Sequence, residues 1–201
     1  MDVSNVPADE ALRRLIAGNE SFVSGQVSFS GLPKESLLDL AAGQRPFATI
    51  LGCSDSRVPP ELIFAAGLGD LFVIRVAANV FSPEIAASLQ YAGHHLGTRL
   101  FVVLGHEGCG AVSAALQTRD QNQLHRSRIQ LLVEKILPAL PRFDPQVSPE
   151  MRLAQAVEAN VRWTLRQIVE TPEGQARLAE GQLKLVGAIY EIESGRVRFL
   201  S

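Results

Sequence analysis

Two short stretches carry residue types that can do chemistry together. Cys53-Ser54-Asp55-Ser56-Arg57 follows the apolar run 47–52, and His106-Glu107-Gly108-Cys109-Gly110 follows the apolar run 100–105. Between them they offer two thiolates, an imidazole and a carboxylate, a donor set that suits Zn2+ in tetrahedral geometry. His106-x-x-Cys109 lets both side chains face one ion, and Cys53-x-Asp55 puts thiol and carboxylate on one side of an extended segment. With all four residues bound, the site is closed. With Asp55 released, two thiolates and one imidazole remain and a fourth position opens for water, as in catalytic zinc sites. Two thiolates neutralise the ion, so the groups around them must tune its acidity.

Arg57 lies two residues beyond Asp55 and can fork onto its carboxylate. That pair would hold Asp55 off the metal as acceptor for the hydrogen of zinc-bound water, orienting a zinc hydroxide nucleophile. Taken singly, each feature has a plainer reading. A cysteine near a strand end is more often a small buried hydrophobe, Asp55 and Arg57 could be a structural ion pair, and a Cys53–Cys109 disulfide is a further alternative. Four potential ligand residues at two equivalent strand ends favour the metal. His94, His95 and His125 read as surface or packing residues.

The elements that position these loops alternate strand and helix. The two apolar runs read as buried parallel strands. In an open α/β sheet, ligands gather at the carboxyl ends of strands, where the strand order switches. Strands are expected at 47–51, 71–76, 99–104, 184–190 and 196–200, the last two joined through a Ser194-Gly195 turn and antiparallel. Helices are expected at 8–23, 34–42, 59–66, 82–96, 109–117, 124–140, 149–170 and 172–180. Ser82-Pro83 carries the start signal of a helix. The first helix has no sequence-adjacent partner, so it packs at the domain edge or embraces a second subunit. The 201 residues suffice for one α/β domain, with 1–33 as an N-terminal helix arm and 34–201 as the core.

Composition excludes several classes. A net charge of −2 gives no basic footprint for nucleic acid. No apolar run approaches the roughly 18 residues of a membrane span, and residues 1–20 are charged and amphipathic rather than a signal sequence. Two cysteines in a chain expected to be cytoplasmic fit metal binding or catalysis better than a structural bridge.

With these residues in place, the chain resembles a β-class carbonic anhydrase. The likeness is carried by Cys53-Ser54-Asp55-Ser56-Arg57 and by 105–111, and extends through 17–22, 70–75, 88–92 and 186–190. It implies an α/β fold with a four-stranded parallel sheet plus one antiparallel strand, flanked by helices, and an N-terminal helix lying on a partner subunit in a homodimer that can assemble into a homotetramer or larger. It implies Zn2+ on Cys53, His106 and Cys109, with Asp55 as fourth ligand in a closed state and the Asp55–Arg57 dyad as catalytic pair. Gln44 matches the hydrogen-bonding glutamine of the plant-like branch, while Phe72 and Tyr91 match its pocket aromatics, some contributed by the neighbouring subunit. Ala77 stands where a larger aliphatic often lines the pocket. Arg75 and Tyr190 match two residues of a regulatory bicarbonate site whose tryptophan is here Ile50, which favours an open resting state. The implied reaction is hydration of CO2 to bicarbonate and a proton. The alternatives are a CS2 or COS hydrolase on the same scaffold and a non-enzymatic bicarbonate-binding zinc protein.

Overall fold

In the computed structural model, residues 6–27, 34–121, 124–144 and 146–200 are described. Five strands form one sheet in the order β2-β1-β3-β4-β5. Strands β1 (Ala48–Gly52), β2 (Leu71–Arg75), β3 (Leu100–His106) and β4 (Lys184–Tyr190) are mutually parallel, and β5 (Val197–Phe199) runs antiparallel to β4. Every residue of β1 and β3 is buried, which is why both read as unbroken apolar runs rather than alternating ones.

Alternate side chains go to opposite faces. Ile50, Val102 and Leu104 join Ala11 and Leu15 of α1 (Ala8–Val23) and Ile63 of α3 (Pro60–Ile63). Leu51, Phe101 and Val103 join Val112 of α5 (Gly110–Gln121), Val133 and Ile136 of α6 (Ile129–Ile136), and Val157, Val161 and Ile168 of α7 (Pro149–Glu170). The remaining helices are α2 (Lys34–Ala41), α4 (Pro83–His94) and α8 (Pro172–Ala179). Helix starts follow the expected signals: Ser82 Oγ accepts from the Ile85 N–H, and Ser148 Oγ from the Met151 N–H.

Helix α1 therefore buries its stripe on its own sheet. Asn19 secures it there: its Nδ2 donates to the carbonyls of Ile63 (3.1 Å) and Gly195 (2.9 Å), and its Oδ1 accepts from the Val197 N–H (2.8 Å). Helix α7 lies close against β3, and Gly105 permits it. A Cβ at that position would fall 2.6 Å from Val161 Cγ2.

Several boundaries differ from the expectations, each for a local reason. The helix expected at 124–140 is α6 followed by a 3-10 turn at Leu137–Ala139, because Pro138 lacks the donor an α-helix needs there. The helix expected at 59–66 stops at Ile63, and Ala65 takes a positive φ of 48°. Strand β3 runs past its expected end to His106, which pairs with Tyr190. A 3-10 turn at Ala77–Asn79 follows β2 where nothing was expected.

Candidate metal centre

Strand β1 is hydrogen-bonded to β2 on one side and β3 on the other, so the carboxyl ends of β1 and β3 flank the switch in strand order. Cys53 follows the last residue of β1, His106 closes β3, and Cys109 immediately precedes α5. The ligand atoms of Cys53, His106 and Cys109 lie within 4.8 Å of one another, and all three residues are buried. Both cysteines are free thiols, which removes the disulfide alternative.

The chemistry of the set fits a metal. His106 Nδ1 lies 2.8 Å from the Glu107 carbonyl, so Nδ1 carries the proton and Nε2 the lone pair. That Nε2 is buried with no hydrogen-bond partner. An orphaned imidazole nitrogen beside two sulfurs is the donor group that a soft or borderline cation requires. The sulfurs divide one proton unequally. Cys109 donates to Cys53, which holds the Cys53 thiol well below its usual value, with the Ala78 N–H (3.2 Å) adding to the effect. The same bond, helped by burial, pushes Cys109 up. At His106, burial opposes protonation, and the neighbouring Cys53 sulfur outweighs it, so the net shift is upward.

Asp55 sits beside the triad, its Oδ2 3.9 Å from His106 Nε2. Arg57 holds it there: Nε donates to Oδ1 (2.9 Å), Nη2 to Oδ2 (2.8 Å), and the Arg57 backbone N–H to Oδ1 (3.0 Å). The guanidinium keeps this carboxyl far below the ordinary carboxylate range. Arg75 anchors the loop from beneath, donating from Nε to the Cys53 carbonyl (3.0 Å) and from Nη2 to the Asp55 carbonyl (2.6 Å). Ile50 is fully buried within the sheet, and Tyr190 is buried at the end of β4, which pushes its phenol up. Glu107 ties the second loop to the sheet edge, its Oε2 accepting from the Ile192 N–H (2.9 Å).

One chain does not bring all the expected site residues together. Ala77 begins the 3-10 turn whose next residue, Ala78, donates to Cys53. Phe72 lies at the other end of β2, opposite Thr49, which puts it about 13 Å along the strand from Cys53. Its ring centroid is 6.0 Å from that of Tyr91, and Tyr91 is 5.2 Å from His95. Tyr91, His95 and Gln44 line a cavity of about 850 Å3 with Leu38, Leu68 and Asp70, and none of the triad lines it. His95, read in sequence as a surface or packing residue, is exposed and lies outside the triad. The sequence reading passed over Asn160 and Thr164, which reach the Ala77–Asn79 turn. The available signal was two polar residues four apart within the apolar stripe of a long helix.

The comparisons agree with this geometry. The family model described as carbonic anhydrase matches residues 48–197. The chain is 37% identical over 189 residues to carbonic anhydrase 2 of Mycobacterium tuberculosis, covering 92% of this chain and 89% of that protein. Among solved structures it is similar to the β-carbonic anhydrase CcaA, with a TM-score of 0.75 and 30% identity over 94% of this chain and 95% of that one. It is also similar to tetrameric β-carbonic anhydrases from the ascomycete Sordaria macrospora, with a TM-score of 0.74 and 25% identity over 94% of this chain and 96% of the other. With a Cys-His-Cys triad at the switch point of a sheet of this order, the chain belongs to the β-class carbonic anhydrases.

Proposed function

We propose that this protein catalyses the reversible hydration of CO2 to bicarbonate and a proton, with Zn2+ held by Cys53, His106 and Cys109. The single observation that carries this reading is the forked Arg57 contact, which occupies both carboxylate oxygens of Asp55 beside the triad. Zinc in that position supplies the Lewis acidity that makes water a nucleophile near neutral pH. Asp55, kept ionised by Arg57, accepts a hydrogen bond from the attacking water and orients it. A structural metal site would need neither an arginine to restrain a carboxylate nor a second arginine on the backbone carbonyls of the same loop. Ala77 walls the CO2 pocket on the metal side.

Gln44, Phe72 and Tyr91 lie along the other edge of the sheet, so in this reading they serve the triad of a second copy. Gln44 of that copy donates to the developing carboxylate oxygens, as an oxyanion-hole donor does, and the two aromatics complete the apolar pocket. The active unit is then a homodimer, and the tetramers of the Sordaria macrospora proteins show a further level of assembly open to the fold. Among the described residues no helix is long and apolar enough to cross a membrane.

The test is stopped-flow CO2 hydration from about pH 6.5 to 9 on zinc-loaded protein, with Cys53→Ala as control. That window spans the value near 7 that zinc imposes on a bound water. Rapid hydration at pH 7.5 that is lost in the control supports the proposal and an Asp55 free of the metal. Activity confined to high pH places Asp55 on the metal at neutral pH. Inactivity throughout, with turnover of CS2 or COS instead, overturns the choice of substrate.

A further inference from the structure

The Ala77–Asn79 turn contains two consecutive non-glycine residues in the left-handed region, Ala78 (φ 56°, ψ 24°) and Asn79 (φ 45°). L-residues avoid this region for steric reasons, and alanine has no polar side chain to offset the clash. Such a turn persists only when its surroundings over-determine it. Here the determining contacts come from α7. Asn160 Nδ2 donates to the Ala78 carbonyl (2.8 Å), and Thr164 Oγ1 donates to the Asn79 carbonyl (3.1 Å). Both side chains are wholly buried, four residues apart on the stripe that also carries Val157, Val161 and Ile168. A polar pair in an apolar stripe is unfavourable unless it is partnered; the turn carbonyls take its two donors, while Asn160 Oδ1 stays buried without a partner. Gly105 lets the helix approach closely enough to reach them.

The other side of the turn faces the metal triad, where the Ala78 N–H donates to Cys53 Sγ at 3.2 Å. We infer that Asn160 and Thr164 are positioning residues for the ligand Cys53, holding a left-handed turn that aims the Ala78 N–H at its sulfur. A hydrogen bond to a thiolate stabilises its charge and reduces what the sulfur gives to an ion. The device thus counteracts the neutralising effect of two thiolates on one metal. This inference rests on the metal reading of Cys53, His106 and Cys109.

The test uses the full chain loaded with Co2+, whose sulfur-to-metal charge-transfer absorption reports on the thiolates. Asn160→Leu and Thr164→Val remove the donors at similar side-chain volume. Each should move the absorption to lower energy, because the sulfur then gives more to the ion, and, by loosening the turn that positions Cys53, weaken Co2+ binding, read by chelator competition, on the order of 10-fold. Thr164→Ser keeps the hydroxyl and should restore both. Adding Ala78→Gly to Asn160→Leu should recover the wild-type absorption, because glycine needs no help to hold this turn. If Asn160→Leu fails to fold, the Thr164 pair decides. A lowered melting temperature with unchanged absorption and affinity overturns the inference, leaving a structural role alone. Failure of the wild-type chain to bind Co2+ or Zn2+ overturns the metal reading itself.

Discussion

The two ends of the sheet are built on opposite terms. At the carboxyl end, polar groups are committed to one another: Arg57 to Asp55, Arg75 to two carbonyls, Glu107 to Ile192, and Ala78 to Cys53. At the amino end, Gln44 and Tyr91 line a wide cavity beside Leu38 and Leu68, which are 74% and 61% exposed. The first end is fixed from within the chain. The second is an open apolar surface with a few polar groups, the kind that marks an interaction site. In the dimeric reading proposed above, one chain completes the metal half of a site by itself and displays the other half outward.

That contrast can be broken at its most committed point. Asp55→Asn keeps the shape of the side chain but weakens its pairing with Arg57 and its acceptor strength. CO2 hydration should fall about 1,000-fold, within the range for a positioned proton acceptor, while metal analysis still finds a loaded site. Full activity would remove the dyad from the mechanism. The outward half is tested by mixing. Gln44→Ala should lower turnover about 100-fold, and Cys53→Ala should abolish it. If each site draws on two copies, co-refolding the two variants should regain about a quarter of wild-type activity through symmetric heterodimers. No recovery, with heterodimers present, would return Gln44 to its own chain.

The smallest effect is on stability, and its sign follows from Asp55. Arg57 depresses the Asp55 pKa in the folded chain. The pair's contribution is therefore complete above the ordinary carboxylate value of about 3.9 and is lost as the pH falls below it. Arg57→Ala should be slightly less stable than wild type in urea at pH 7, and the gap should narrow progressively below about pH 4. A gap of undiminished size at pH 2 would mean that Arg57 stabilises by packing.

The carboxyl end was largely legible in sequence because its chemistry is compact. Cys53, Asp55 and Arg57 lie within five residues, and the run–glycine–ligand pattern recurs at β3, so the convergence followed from sheet topology. The parallel strands were visible as unbroken apolar runs. The Ala78–Asn79 turn was hidden, because alanine carries no signal for a positive φ. Its cause lies in Asn160 and Thr164, far along the chain on a helix whose spacing reads as ordinary amphipathicity. Gln44, Phe72 and Tyr91 came from resemblance alone. Nothing in their spacing places them at the edge away from the cysteines, since that depends on which end of β2 and which loop carries each one.

Asn19 carries a consequence for biosynthesis. Its amide reaches its last two partners at Gly195 and Val197, made 176 and 178 positions later. At the usual 5–20 residues per second, the interval is roughly 9–35 s. During that time α1 can nestle against Ile63 with a buried amide only partly satisfied, a state costly enough to keep the helix exchanging with solvent. The helix is thereby clasped only after a segment 176 positions later has been made, and that segment acts as the latch.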